Sequence, residues 1–159
     1  MRLVGALLTF AAAAALTGCS SDHGPVAKPV HSSCSGVAGK HHAYVVVMHA
    51  SGTRTTGCVG FDTQSLSGFS LMKDSGIGYQ TQSTQYGPAM CEVDGEPAHY
   101  AQCLPANAPY WAAWTWNGTD WSLAQQSFAD IKFKDHQALG WVYAPFTASP
   151  APPPAPPAS

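Results

Sequence analysis

Charge is scarce in this chain of 159 residues: seven Lys and Arg, nine Asp and Glu, and a formal net charge of −2 at pH 7. Without a basic patch or stripe nothing can neutralise a phosphate backbone, so nucleic acid is excluded as a partner. Long apolar runs are missing too. The longest, LVGALLTFAAAAAL over residues 3–16, reaches about 21 Å as a helix, against a bilayer core of about 30 Å. Catalytic signatures are absent: no H-E-x-x-H, no nucleophile motif and no Gly-rich phosphate loop. No two cysteines have the C-x2-C spacing that zinc sites favour.

What the N-terminus does carry is an address. Arg2 precedes the apolar run, whose length suits the core of an export signal. The run ends in Leu16-Thr17-Gly18-Cys19, which resembles the bacterial lipobox. That resemblance implies a signal peptide over 1–18, cleavage before Cys19 and a diacylglycerol thioether on its sulfur. Small residues suit the site because the chain must lie extended in a peptidase cleft. Each buried CH2 of the lipid contributes about 0.8 kcal/mol, so two acyl chains anchor firmly. The expected location is the outer face of a bacterial cell membrane, with the membrane as one partner. Residues 19–41, rich in Ser, Gly and Pro, read as a flexible tether. Residues 147–159, uncharged Pro and Ala with little else, read as an extended, disordered tail serving as a spacer. One domain is left, over about 42–146, large enough for a single modest core.

With Cys19 taken by lipid, Cys34, Cys58, Cys91 and Cys103 remain. An even number in an exported chain suggests two disulfides. Three pairings are open. Cys91 with Cys103 is favoured because it closes a short loop around EVDGEPAHYAQ, and Cys34 with Cys58 would then staple the tether to the first hairpin. Neither a metal nor a cofactor is expected.

Within the domain, AYVVVMH over 43–49 is a β-branched strand buried on both faces, and RTTGCVGF over 54–61 returns after a Ser51-Gly52 turn. Leu66, Phe69 and Met72 recur every third residue. They predict a helix over about 65–75, with Ser65 as N-cap and Gly76 at the left-handed C-terminal position. IGYQTQ (77–82), AMCEVDG (89–95), IKF (131–133) and LGWVY (139–143) read as further short strands.

Four of the five tryptophans fall within YWAAWTWNGTDW, residues 110–121. Asn117-Gly118 is a turn signal between two aromatic runs. A two-residue loop would set Trp114 opposite Trp121. A four-residue loop would set Trp116 there. In either register Tyr110, Trp114 and Trp116 share a face and Trp111 points the other way. The expected order, a hairpin, a crossing helix and then several strands, is an α+β fold with a β-grasp-like mixed sheet.

The order of RTTGCVGF, SGFSLMKDSG, CEVDG, YWAAW, the Trp after the Asn-Gly turn and a final GWVY resembles the transcobalamin-like C-terminal domain. This is a small β-grasp-like domain of bacterial surface proteins, and the likeness runs over residues 43–144. In cobalamin carriers the related domain closes over the corrin as one half of a clamp. The resemblance therefore implies a one-sided, non-catalytic module for a corrinoid or another planar ligand. Here Asp135-His136-Gln137-Ala138-Leu139-Gly140 departs from the family's Gly-Asp turn, so no contact residue carries over. Read from the residues themselves, the ligand-stacking candidates are Tyr110, Trp114, Trp116 and Trp121, since indole and phenol rings offer large apolar faces at small entropic cost. The competing reading is an envelope lipoprotein that docks a protein partner. An enzyme would have to draw on His49, His99, His136, Asp94 and Glu96, and no motif unites them; His41-His42 reads as a solvated pair.

Overall fold

In a computed structural model of the chain, residues 28–158 are described. The expected signal peptide, Cys19 and the first part of the expected tether lie outside them. Nine strands and one helix follow in chain order: β1 His41–Met48, β2 Arg54–Phe61, β3 Leu66–Ser67, α1 Gly68–Asp74, β4 Tyr79–Thr84, β5 Gly87–Val93, β6 Tyr110–Trp116, β7 Trp121–Leu123, β8 Lys132–Phe133 and β9 Ala138–Ala144. Five strands form one sheet in the order β2-β1-β9-β6-β7. All its neighbours are antiparallel except the central pair, where β1 runs parallel to β9 with Tyr44 beside Ala138 and Met48 beside Val142. A first hairpin, a crossing helix and a last strand parallel to the first make the α+β, β-grasp-like arrangement. β3-β8 and β4-β5 form two small accessory sheets.

Period-2 alternation sorts the side chains. Val45, Val47, Val59, Trp111, Leu139 and Trp141 face the helix and build the main core with Leu71, Met72, Met90, Val93 and Phe133. Tyr44, Val46, Cys58 and Ala138 face the other way and are also buried. The main sheet is therefore covered on both faces, as the unbroken apolar run of β1 requires.

The outer cover comes from the chain's own ends. The part of the tether over 28–40 is seated on the sheet: Cys34 is bonded to Cys58, Cys58 N donates to His31 O, and Val37 packs beside Tyr44 and Val46. Both favoured disulfides, Cys34–Cys58 and Cys91–Cys103, are present. The Pro/Ala tail, expected as an extended, disordered spacer, has neither helix nor strand over 149–158, and its Pro153 is buried.

The helix is shorter than its periodicity suggested. Leu66 and Ser67 pair with Phe133 and Lys132, and Gly68 N donates to Ile131 O, so long-range pairing takes the first residues out of the helix. Ser67, not Ser65, is the N-cap; its Oγ accepts from Ser70 N at 3.1 Å. Phe69 is 41% exposed and meets Tyr79 edge-on, while Leu71 and Met72 fill the core. Gly76 takes the left-handed conformation expected of it, φ +79°. In the tryptophan hairpin Asn117 Oδ1 accepts from Thr119 N at 2.8 Å and Asp120 N at 2.9 Å, which stabilises the four-residue loop. Trp116 thus pairs with Trp121, ring centroids 5.4 Å apart.

Two predictions test this architecture. A Cβ at Gly68 would lie 2.1 Å from Phe128 O, a backbone atom that cannot step aside. Gly68→Ala should gain up to about 1 kcal/mol of helix propensity. Overpacking should cost about 1–3 kcal/mol, so a lower urea midpoint is expected. The second concerns Asp135, whose Oδ1 accepts from His42 N at 2.7 Å, with His136 Nε2 at 3.3 Å and His41 Nδ1 at 3.5 Å from Oδ2. The His42 N–H holds its carboxyl below the usual carboxylate range; partial burial opposes this, and the two histidines add to it. Because the folded value lies below the unfolded value of about 3.9, the stabilisation is present above that pH and is lost as pH falls through the folded value. Asp135→Asn should flatten the fall in urea midpoint in this acid range, relative to the unsubstituted chain.

Candidate ligand-binding site

β5 ends at Val93 in a tight turn. Asp94 has φ +53° and Gly95 φ +82°, and Val93 and Glu96 exchange backbone hydrogen bonds. The turn folds both carboxylates back toward β1. Glu96 Oε2 lies 2.8 Å from His49 Nδ1 and accepts from Ala50 N at 3.3 Å. Asp94 Oδ2 lies 3.3 Å from His49 Nε2 and accepts from Thr55 Oγ1 at 2.6 Å. Three of the groups an enzyme would have drawn on are thus brought together. Each ring nitrogen faces its own carboxylate, so the carboxylates converge on the imidazole and not on a shared point. Among the described residues no group of His, Cys, Asp or Glu is arranged to hold a metal ion. The cluster is a clamp that ties the 94–97 turn to the first hairpin. His136 is at β9's entry beside Asp135.

The clamp positions an aromatic file. Glu96 O accepts from Trp111 Nε1 at 2.9 Å, His49 meets the Trp111 ring edge-on at 6.0 Å, and Trp111 lies 5.0 Å from Tyr143. Above this file the 97–110 loop, bonded to β5 through Cys91–Cys103, encloses a cleft of about 300 Å3. Its lining includes His99, Tyr100, Tyr110, Trp111 and Tyr143. Burial pushes the Tyr143 hydroxyl's pKa up, and the negative Glu96 adds to the effect. The cleft is therefore an apolar, ring-lined recess with a few polar tips, the composition of a small-molecule seat.

Of the four stacking candidates, only Tyr110 lines this cleft. Trp114 is on the outer face, 9% exposed. Trp116 and Trp121 are half-buried beside Tyr44. The hairpin thus offers no continuous open platform. His99 and Tyr100, both inside the disulfide-closed segment, and Tyr143, two residues from Trp141 on β9, complete the cleft. The short spacing of Cys91 and Cys103 around Tyr100 is the signal in the sequence that could have found them.

No family model matches the chain, and no curated protein sequence does. Among solved structures it is similar to a candidate metal-binding protein from Ruminococcus gnavus ATCC 29149, at 17% identity and a TM-score of 0.48, covering 67% of this chain and 98% of that one. A likeness at that level carries no argument about chemistry.

The clamp yields a prediction. Glu96→Ala removes the acceptor of His49 Nδ1 and Ala50 N. Leaving such groups without a partner should cost about 1–3 kcal/mol. The loss should appear in urea unfolding together with a shift in the emission of the neighbouring Trp111, and Glu96→Gln should recover part of it.

Proposed function

We propose that this chain is an exported, lipid-anchored, non-catalytic binding module whose ligand seat is the aromatic cleft beside Cys91–Cys103. The observation that carries the reading is the cleft itself: about 300 Å3, lined by Tyr100, Tyr110, Trp111 and Tyr143. Two disulfides suit an oxidising compartment outside the cytoplasm. The anchor rests on the lipobox-like sequence at Cys19. The strand order keeps the resemblance to transcobalamin-like C-terminal domains as part of the proposal.

The size of the cleft limits its ligand. Small-molecule pockets run from about 300 to 1,000 Å3, and this one is at the lower end. It encloses one planar ring system. A corrinoid would present an edge to it and leave most of the macrocycle outside. Protein docking is the second reading, favoured by Tyr86, 80% exposed, and Leu104, 60% exposed, which flank a separate cleft of about 240 Å3.

Isothermal titration of the disulfide-intact chain against cobinamide and against indole tests the reading. Saturable heat is expected with at least one. Truncating an aromatic anchor should weaken it at least about tenfold, so Tyr110→Ala and Tyr100→Ala should do so while Trp116→Ala does not. No heat with either probe at high micromolar protein would remove the planar-ligand proposal.

A further inference from the structure

The tail lies on the outer face in a regular way. Pro150 is half-buried, Pro153 buried, and Pro156 and Pro157 half-buried, while residues 151, 152, 154 and 155 are exposed. The spacing of Pro150, Pro153 and Pro156 is that of polyproline II, which has three residues per turn. The surface beneath is shaped to receive it. The Cβ that Gly140 lacks would lie 2.8 Å from Pro153 Cγ and 2.8 Å from Trp121 Cζ3, so only glycine leaves room for the prolyl ring beside the indole. Farther along, Tyr44, Trp116 and His136 line a recess of about 300 Å3 with Pro156 and Pro157. None of these residues lines the cleft of Tyr100 and Tyr110.

Hydrogen bonding adds an independent observation. Trp114 Nε1 and Trp121 Nε1 are buried without an acceptor. Both belong to this face, where the Cβ of Trp114 and the ring of Trp121 flank Gly140. A buried donor left unpaired is costly. A polyproline II strand makes no internal hydrogen bonds and so carries an unused carbonyl about every 3.1 Å.

We propose that the groove formed by Tyr44, Trp116, Trp121 and Gly140 is a recognition site for proline-rich segments in the polyproline II conformation. The chain's own residues 150–158 are its resident ligand, held in cis, and a proline-rich segment in trans takes the same place when they leave. Preformed extended conformation keeps the entropy of binding small, and aromatic walls supply the contact area. A tethered occupant acts at millimolar effective concentration, so the resident tail closes the groove to weak competitors.

The test uses the full chain and a fluorescent peptide of residues 147–158. Pro153→Gly with Pro156→Gly loosens the resident tail without touching the sheet. Anisotropy should show the peptide binding this variant at least about tenfold more tightly than the unsubstituted chain. A peptide with glycine at the positions of Pro150, Pro153 and Pro156 should not bind. In 15N spectra the Trp121 indole N–H, assigned with Trp121→Phe, should move in the tail variant and return when peptide is added. Two results would overturn the proposal. One is a variant whose urea midpoint shows it folded but whose Trp121 signal is unmoved and which takes up no peptide. The other is equal binding of the glycine-substituted peptide.

Discussion

The parallel pairing of β1 with β9 is the constraint on which everything else depends. It sets two strands at the centre of the main sheet, and β1 carries apolar side chains on both faces from Ala43 to Val47. A sheet wet on one side cannot accommodate such a strand. The helix, the accessory sheets and the 124–133 segment cover one face, and they suffice for an ordinary core. The second face has no helix available to it. It is closed by the two chain ends, one bonded in place and the other laid across it.

Most of the regular structure was legible because it rests on local pattern. The first hairpin, the closing strand and the disulfide pairing follow from β-branched runs, turn residues and loop length. The register of the tryptophan hairpin was left between two answers, since both loop lengths keep Trp114 and Trp116 on one face. The side chain of Asn117 decides it by bonding to residues 119 and 120. The start of the helix was not legible. Leu66 fits a helical stripe, but its partner Phe133 is far along the chain, and pairing overrode periodicity. The tail is a different case. Its composition shows that it cannot build a core of its own, and says nothing about whether a neighbouring surface can hold it.

The site was legible in fragments. Tyr110 is among the stacking candidates, but the other rings of the cleft come from the irregular 97–110 loop, from Trp111 on the core face of β6 and from Tyr143 of β9. His49, Asp94 and Glu96 were visible as polar residues of promise. What the sequence could not reveal is that the 94–97 turn places one carboxylate on each ring nitrogen, which fastens that turn to the first hairpin. That fastening holds Trp111 and thereby the back wall of the cleft.

The two ends that cover the outer face differ in how they are held, and this sets the path of mechanical load. The N-terminal segment is fixed through a sulfur–sulfur bond at Cys58, in the edge strand β2, which is hydrogen-bonded to β1. Tension applied upstream of Cys34 therefore enters the sheet through a covalent link, and that half of the cover cannot be peeled away while the bond is oxidised. The C-terminal strap has no such covalent link; Pro153 packs beside Gly140, so tension on it would have to break only non-covalent contacts. The molecule thus has a bolted end and a zippered end, and under traction the zippered one opens first.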